Sequence, residues 1–310
     1  MLVFISKRIG IMALTMLVVS VLLFLVLEFS PGSPATKVLG QFASDEQKNL
    51  WMQQHGYFDP LWYRYFVWIG NFLSGDLGIS QRYRMPVGDI MWPRLWNTAI
   101  LGFWTFVFLI PVSLVLGVLA GMREGAMLDR SISIVSIITT SISEFASAVF
   151  LSTIFTFWLH LLPGTSGMIN GFEFKQLILP VLVLFLYDFG YVARMTRASM
   201  AEVMTTPYIR TAVLKGLPYR QVILKHALRN ALIAPFTVIM LQINWLLSGV
   251  IVVEFAFAYK GFGALLLEAS LNQDIYVIVS CSMVAVFVAV GTQTLADIGY
   301  TYLNPRIRFR

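Results

Sequence analysis

The amino-acid sequence predicts an all-α membrane protein with six transmembrane helices. Of the 310 residues, 58% are hydrophobic and only 12% are charged, and the mean hydropathy is +0.76. Soluble domains carry about 25% charged residues, so this composition excludes an ordinary soluble protein. The apolar residues also form long continuous runs rather than an alternating pattern. A continuous run of about 20 apolar residues is typical of a helix that crosses a membrane.

Six apolar runs reach this length, and two of them need comment. The first follows Lys7 and Arg8 and resembles a signal peptide. It exceeds the roughly 7–15 apolar residues of such a peptide, which favours an uncleaved first helix. The third run is longer than a span requires, so we expect its helix to tilt or to extend beyond the hydrocarbon. The runs cover residues 9–28, 97–121, 131–161, 177–197, 234–254 and 277–303.

The distribution of basic residues predicts that both termini lie in the cytoplasm, because cytoplasmic loops collect Lys and Arg. With the N-terminus inside, the cytoplasmic basic residues have few acidic neighbours, whereas the external ones are mostly offset by acids. This bias also explains the net charge of +6, and we expect no nucleic-acid partner. The cytoplasmic set is Lys7, Arg8, Arg123, Arg130, Arg194, Arg197, Arg210, Lys215, Arg220, Lys225, Arg229, Arg306, Arg308 and Arg310.

These assignments divide the chain into four parts. They are a first transmembrane helix (1–28), an external segment (29–96), a five-helix core (97–303) with a cytoplasmic loop at 198–233, and a cytoplasmic tail (304–310).

In the external segment, the string DEQKNLWMQQHG predicts a short helix that ends at Gly56. The aromatic residues around it suit a membrane–water interface, and a ligand-binding aromatic platform is the alternative. These aromatic residues are Trp51, Tyr57, Trp62, Tyr63, Tyr65 and Trp68.

A basic stretch interrupts the second half of the chain, MTTPYIRTAVLKGLPYRQVILKHALRN at 204–230. Thr206 and Pro207 predict the start of a helix, Gly216 predicts its end, and Pro218 predicts the start of another. We expect Tyr208 with Ala212, and Ile209 with Val213, to form an apolar stripe. The first helix could rest on anionic lipid or dock into a groove of a cytoplasmic partner. Its shortness and its Pro and Gly boundaries favour docking.

Three acidic residues in or near the apolar runs are candidates for a transport pathway. An ionisable residue inside a span is costly and is by default a functional candidate. Asp188 is expected to line a pathway or shape a helix contact, with a structural hydrogen bond or an interfacial position near Arg194 as alternatives. Glu144 is expected to face the interior or to lie near a helix break. Glu254 is expected to be solvated at the external end of its helix, with a gate as the alternative.

No catalytic or metal site is predicted. Cys281 is the single cysteine, and His55 and His160 have no neighbours at metal-ligand spacing. The chain has no Gly-x-Ser-x-Gly motif, which makes a membrane enzyme a weak alternative. It also has no Gly-x-x-x-x-Gly-Lys-Ser/Thr loop, so we expect it not to hydrolyse ATP itself. The marks of an ion-coupled secondary transporter, namely paired intramembrane carboxylates or broken helices in corresponding halves, are not evident in the sequence.

Several short strings together resemble the membrane subunits of ATP-binding-cassette importers, and most of all their dipeptide and oligopeptide permease branch. They are SPGSPA (30–35), GDLGIS (75–80), ARMTRASM (193–200), PYIRTAVLKG (207–216), HALRNALI (226–233), IVVEFAF (251–257) and LNPRIR (303–308). The chain departs from the usual pattern of that branch at residues 213–216, at residues 259–263 and at Asp188.

The resemblance implies a type I importer domain whose cytoplasmic coupling helix contacts separate ATPase subunits. It implies coupling residues at Tyr208, Arg210, Thr211, Ala212, Lys215 and Gly216. It further implies a second homologous permease in a heterodimer, an external solute-binding protein and a bacterial inner membrane. ATP and Mg would bind to the ATPase subunits, with no cofactor in this chain. Peptides or peptide-like solutes are the expected cargo, and an oligosaccharide, an opine or a nickel chelate is the alternative.

Overall fold

The computed structural model describes residues 2–29, 33–40, 42–54, 56–168 and 171–303, and every regular element in these ranges is a helix. His55 and the predicted tail 304–310 lie outside the described residues. The α-helices are α1 (Leu2–Glu28), α2 (Pro34–Leu39), α3 (Asp45–Gln54), α4 (Leu61–Ser74), α5 (Val87–Met122), α6 (Met127–Ser141), α7 (Glu144–Ser152), α8 (Phe174–Met204), α9 (Pro207–Leu214), α10 (Tyr219–Gln221), α11 (Leu228–Ala231), α12 (Ile233–Ala256), α13 (Phe262–Leu271) and α14 (Ile275–Leu303). Two π-helical turns, Thr153–Trp158 and Val222–Ala227, extend α7 and join α10 to α11.

By length and composition, four single helices could cross a membrane: those containing Ser6–Val26, Val87–Met122, Phe174–Met204 and Ile275–Asp297. Two bent pairs pass the same test together, Met127–Ser141 with Glu144–Trp158 and Tyr219–Ala231 with Ile233–Ile243. The described part of the chain therefore has four to six candidate spans. The predicted all-helical membrane class is confirmed.

The chain forms two compact units, the first comprising Met1–Trp96 and Leu265–Gly291 and the second comprising Asn97–Ala264 and Thr292–Arg310. In the first unit an ion pair joins α1 to α4. Arg64 donates two hydrogen bonds of 2.6 Å to the carboxylate of Glu28. The Arg64 guanidinium also lies 4.2 Å from the ring centre of Tyr57. Paired N–H···O bonds of this kind fix orientation as well as distance, so the end of α1 is held firmly against α4.

The short helix predicted before Gly56 is present as α3, which ends at Gln54, and Gly56 has a φ of +69°. Some of the aromatic residues around it are exposed and some line a cavity. Trp62 and Tyr63 are 66% and 48% exposed, as a membrane interface requires. Trp51, Tyr57, Trp68 and also Tyr63 line a cavity of about 330 Å³ within the first unit.

Polar contacts fasten the loop between α4 and α5 to the residues around the start of α14. Ser80 donates a 2.5 Å hydrogen bond to the buried carboxylate of Asp274. Tyr83 donates a 2.7 Å bond to Glu268, which also pairs with Arg82 at 2.9 Å. Burial, followed by the bond to Glu268, raises the pKa of the Tyr83 phenol. Tyr83 therefore keeps its proton and acts as the donor.

Helix α8 is the centre of the second unit, where α6, α7 and α12 pack against it. One end of α8 is fixed by Arg197, which donates bonds of 2.7 and 2.9 Å to the two carboxylate oxygens of the buried Asp129 on α6. On another side, Gly117 and Gly121 of α5 leave room for the backbone of α8, because a Cβ at either position would meet atoms of Ala193, Thr196 or Arg197. Small residues spaced four apart allow this kind of close helix contact in membranes.

The third apolar run was expected to form a helix that tilts or extends beyond the hydrocarbon, but the structure divides the run into two helices. The helix is interrupted at Ile142 and Ser143, and α6 and α7 meet at an angle of 101°. Both residues have extended backbone angles, and the Ser143 hydroxyl accepts a 3.3 Å hydrogen bond from the backbone N–H of Ala146. Ser143 is therefore the N-cap of a new helix, a signal that the apolar character of the run conceals.

The crossing of α6 over α8 depends on Gly190. A Cβ at this position would collide with the backbone carbonyl of Ser136 and with the side chains of Thr139 and Thr140. Because a backbone atom cannot swing away as a side chain can, any larger residue must push the two helices apart.

We expect Gly190→Ala to lower the free energy of unfolding by about 1–3 kcal/mol, as overpacking does in a well-packed interior. Thermal unfolding of the purified protein in detergent measures the change. Gly291→Ala on α14 is the control, because a Cβ there meets nothing within 4 Å. The control should be neutral or stabilising by up to about 1 kcal/mol, since Ala is a better helix former than Gly. Equal stability of the two variants would contradict this role of Gly190.

Candidate functional site

The basic stretch at 204–230 contains the helix that its sequence predicts. Helix α9 begins at Pro207 and ends at Leu214, Gly216 has a φ of +74°, and α10 follows Pro218. Thr206 occupies the N-cap position, but its hydroxyl donates to the carbonyl of Val203 at 2.6 Å and does not cap the helix. The predicted start and end of α9 and the start of the next helix after Pro218 are confirmed, whereas the predicted side-chain cap at Thr206 is not formed.

One side of α9 is anchored in a hydrophobic cluster. Ile209 and Ala212 are 2% and 6% exposed and pack with residues of α8, α11 and the π-helical turn before α11. The predicted apolar stripe is therefore divided, because its other members, Tyr208 and Val213, are 41% and 52% exposed. Besides Ile209 and Ala212, the cluster contains Met200, Val222, Ile223, Ala227 and Ala231.

The opposite side of α9 presents both apolar and basic groups. Leu214 is 79% exposed, next to the exposed Val213. Among the six residues assigned to coupling, only Ala212 is buried, and the other five lie on the exposed surface: Tyr208, Arg210, Thr211, Lys215 and Gly216. Tyr208 is held in place because its phenol oxygen accepts a 2.8 Å bond from the Asn230 amide. This surface presents both apolar and basic side chains, which a groove on a partner protein can receive.

A second candidate site surrounds Asp188, which has no exposed surface. Asp188 lies in the middle of α8 and lines a cavity of about 260 Å³ together with Thr140, Tyr187, Tyr191, Arg194 and Gln242. Gln242 on α12 donates a 2.5 Å hydrogen bond to Asp188 Oδ1. Oδ2 has no hydrogen-bond partner among the described residues. The described residues therefore satisfy only one of the two oxygens of this buried carboxyl group.

Glu144 lies close to Asp188 in space. It is the first residue of α7, directly after the break in the third run, and α7 packs against α8. The Glu144 and Asp188 carboxyl groups are close enough to interact electrostatically. Glu144 Oε2 is likewise buried and has no hydrogen-bond partner in the described part of the chain. Of the two positions expected for Glu144, the one beside a helix break is confirmed. The break and the second carboxyl group near Asp188 are two features that were not evident as such in the sequence.

Arg194 contributes the positive charge of this cavity. The guanidinium is exposed and donates to the carbonyl of Gly190 at 3.1 Å and to Thr140 Oγ1 at 3.3 Å. These bonds hold Arg194 along α8 and against α6. Gln242 and Thr140 were not singled out by the sequence, because uncharged polar residues on a span carry no signal until the fold places them beside a charge.

Glu254 is not solvated, contrary to expectation. Its side chain has no exposed surface, and the carboxylate accepts a 2.5 Å bond from Thr98 Oγ1 and a 2.8 Å bond from the backbone N–H of Ala264. The Thr98 hydroxyl also accepts a 2.8 Å bond from the backbone N–H of Phe262. Glu254 thus fastens the end of α12 to the start of α13 and to α5. The sequence did not predict this contact, because the residues next to Glu254 are apolar and Thr98 lies far from it in the chain.

The family model described as binding-protein-dependent transport system inner membrane component matches residues 113–309. The chain belongs to this family. A putative peptide transport system permease protein of Brucella abortus is 33% identical over 98% of both chains. The oligopeptide transport system permease protein of Bacillus subtilis is 31% identical over 94% of both chains, and the dipeptide transport system permease protein of Escherichia coli is 31% identical over the full length of both.

The matched part of this inner membrane component contains both candidate sites, since it includes α6 to α12. The predicted resemblance is confirmed. The component is a multi-pass membrane protein of a transport system, and its family is that of a membrane subunit rather than of an enzyme. Within the described residues, no group of His, Cys, Asp and Glu side chains is arranged to hold a metal ion.

We expect Thr98→Val to lower the stability of this inner membrane component by about 1–3 kcal/mol, because it takes a donor from the buried Glu254 carboxylate and an acceptor from Phe262. Thr237→Val is the matched control, since its hydroxyl donates to the Ile233 carbonyl of its own helix at 3.1 Å and has no other hydrogen bond among the described residues. The control should change stability by less than about 0.5 kcal/mol. Thermal unfolding of both variants measures the difference. Equal values would contradict the role of the Thr98–Glu254 contact.

Proposed function

We propose that the chain is the transmembrane permease subunit of an ATP-driven, binding-protein-dependent importer of peptides or peptide-like solutes. Family membership supports the importer class, and the names of the relatives support the cargo. The observation that carries the proposal is α9, a short helix with an anchored inner side and an exposed outer side that is both apolar and basic. Such a surface is suited to a partner groove rather than to water.

The proposed topology has six transmembrane helices with both termini in the cytoplasm of a bacterial inner membrane. It counts each bent pair as one span and follows the excess of Lys and Arg in the segments between spans. In this orientation the loop containing α9 faces the cytoplasm. The external segment 29–96 and the segment 254–276 face the opposite side, where a solute-binding protein would deliver cargo.

Four kinds of partner complete the proposed transporter. They are a second homologous permease that supplies the other half of the pore, cytoplasmic ATPase subunits that bind ATP and Mg, the external solute-binding protein, and the lipid membrane. This chain would hold no cofactor. Closure of the ATPase subunits would move the helix at 207–217, and the spanning helices would then rock so that the cavity opens alternately to each side.

In this mechanism Asp188 and Glu144 belong to the translocation pathway. Their buried, unpartnered oxygens and the adjoining cavity support this assignment. For Glu254 we propose a role at the external gate, where its bonds to Thr98 and Ala264 hold the segments that have to move. The alternative cargo is a non-peptide solute such as an oligosaccharide, an opine or a nickel chelate, and a calorimetric screen of the cognate binding protein distinguishes these classes.

We expect Gly216→Val to weaken ATPase association at least about tenfold, because a β-branched residue at a φ of +74° costs about 1–2 kcal/mol and displaces the end of α9. Co-purification of the ATPase subunits with the permease measures the effect. Membrane insertion should be unchanged, since a Cβ at Gly216 meets nothing within 4 Å.

Gly216→Asn is the matched control, because Asn tolerates the left-handed conformation far better than Val. It should retain the ATPase subunits. Full co-purification of the Val variant would rule out α9 as the coupling helix. Gradient-driven uptake by this chain without ATPase subunits would favour an ion-coupled transporter instead.

A further inference from the structure

We propose that the cavity between α6, α8 and α12 binds a positively charged group of the cargo, an ammonium or a guanidinium, with Asp188 as its ligand and Glu144 as a second negative charge. This inference rests on the proposed function, because it assigns a substrate class to the pathway of the importer. It makes this chain a determinant of selectivity in addition to the external binding protein.

The first support is the state of the two carboxyl groups. Asp188 Oδ2 and Glu144 Oε2 are both buried, and neither has a hydrogen-bond partner among the described residues. Leaving a buried carboxyl oxygen without a partner costs free energy, and membrane interiors retain such groups where they serve transport. A cationic group with several N–H donors supplies the kind of hydrogen bond that such an oxygen lacks.

The second support is the balance of charge around the cavity. Asp188 lines it with a carboxyl group, and Glu144 lies near enough to Asp188 to interact with it electrostatically, whereas Arg194 is the basic residue among the lining side chains. The Arg194 guanidinium donates hydrogen bonds to the Gly190 carbonyl of α8 and to Thr140 of α6, so its donors are partly engaged within the chain. The local charge therefore favours a cation.

The third support is the lining of the cavity. Tyr187 and Tyr191 contribute aromatic rings, whose faces attract cations, and Gln242 holds Asp188 Oδ1 so that Oδ2 keeps its orientation. The volume of about 260 Å³ is below the roughly 300–1,000 Å³ of pockets that enclose whole ligands. The site therefore suits one side chain or one terminus of a peptide rather than the entire cargo.

The test uses two uncharged-backbone probes, N-acetyl-glycyl-lysyl-glycine amide, which carries one positive charge, and its norleucyl counterpart, which carries none. The complete transporter in nanodiscs is treated with dicyclohexylcarbodiimide, which modifies carboxyl groups in apolar surroundings, and labelling is quantified by mass spectrometry. We expect the lysyl probe to slow labelling of Asp188 severalfold and the norleucyl probe to have no effect.

Labelling of the half-buried Asp297 on α14 is the internal reference and should respond to neither probe. Equal protection of Asp188 by both probes would show an apolar site, and protection by neither would show that cargo does not reach the carboxyl group. Either result overturns the proposal.

ATP-driven uptake of the same probes separates this inference from the proposed function. In Asp188→Asn the ratio of lysyl to norleucyl uptake should fall at least about tenfold, as expected for losing a hydrogen bond to a charged group. Glu202→Gln removes an exposed carboxylate from the same helix and should leave the ratio unchanged. An unchanged ratio in Asp188→Asn, with uptake intact, overturns the cation site alone. Failure of the unaltered complex to take up any peptide overturns the proposed function.

Discussion

The packing of neighbouring helices against α8 is the constraint on which the second unit depends. Gly190 of α8 allows α6 to pack closely, and Gly117 and Gly121 of α5 allow close contact on another side of α8. Helix α12 contacts α8 through the hydrogen bond from Gln242 to Asp188. Helix α8 then continues to Met204, which is about 24 Å beyond Asp188 at 1.5 Å per residue, and α9 follows directly. One continuous helix therefore connects the Asp188 cavity to the segment from which α9 begins.

The buried acidic residues of this bundle differ in how they are paired. Asp129 is fully engaged by Arg197, and Glu254 accepts bonds from Thr98 and Ala264, so both act as fixed contacts between elements. Asp188 and Glu144 each retain an oxygen without a partner in the described chain. Asp129 and Glu254 thus serve as fixed contacts, whereas the unsatisfied oxygens of Asp188 and Glu144 cost stability in the described structure.

The sequence predicts those features of the fold that local chemistry determines. The apolar runs indicate the helical membrane class, and Pro207, Gly216 and Pro218 indicate the bounds of α9, because proline and glycine act on the backbone of their own segment. The burial of Glu254 and its contact with Thr98 could not be predicted in this way. Those contacts join residues that are far apart in the chain, and an isolated sequence pattern carries no information about which distant segments meet.

The break at Ser143 lies between these two cases. The capping residue is local to the break, yet one serine within a long apolar run is outweighed by the high hydropathy of its neighbours, which predicts a continuous span. The fold shows why the break matters: a continuous helix would carry Glu144 onward in the direction of α6, whereas the 101° turn lets α7 pack on α8 with Glu144 near Asp188. A polar residue with N-cap chemistry inside an apolar run therefore indicates a broken helix, and backbone at such a break is tolerated in a membrane where it is buried in protein or borders a cavity.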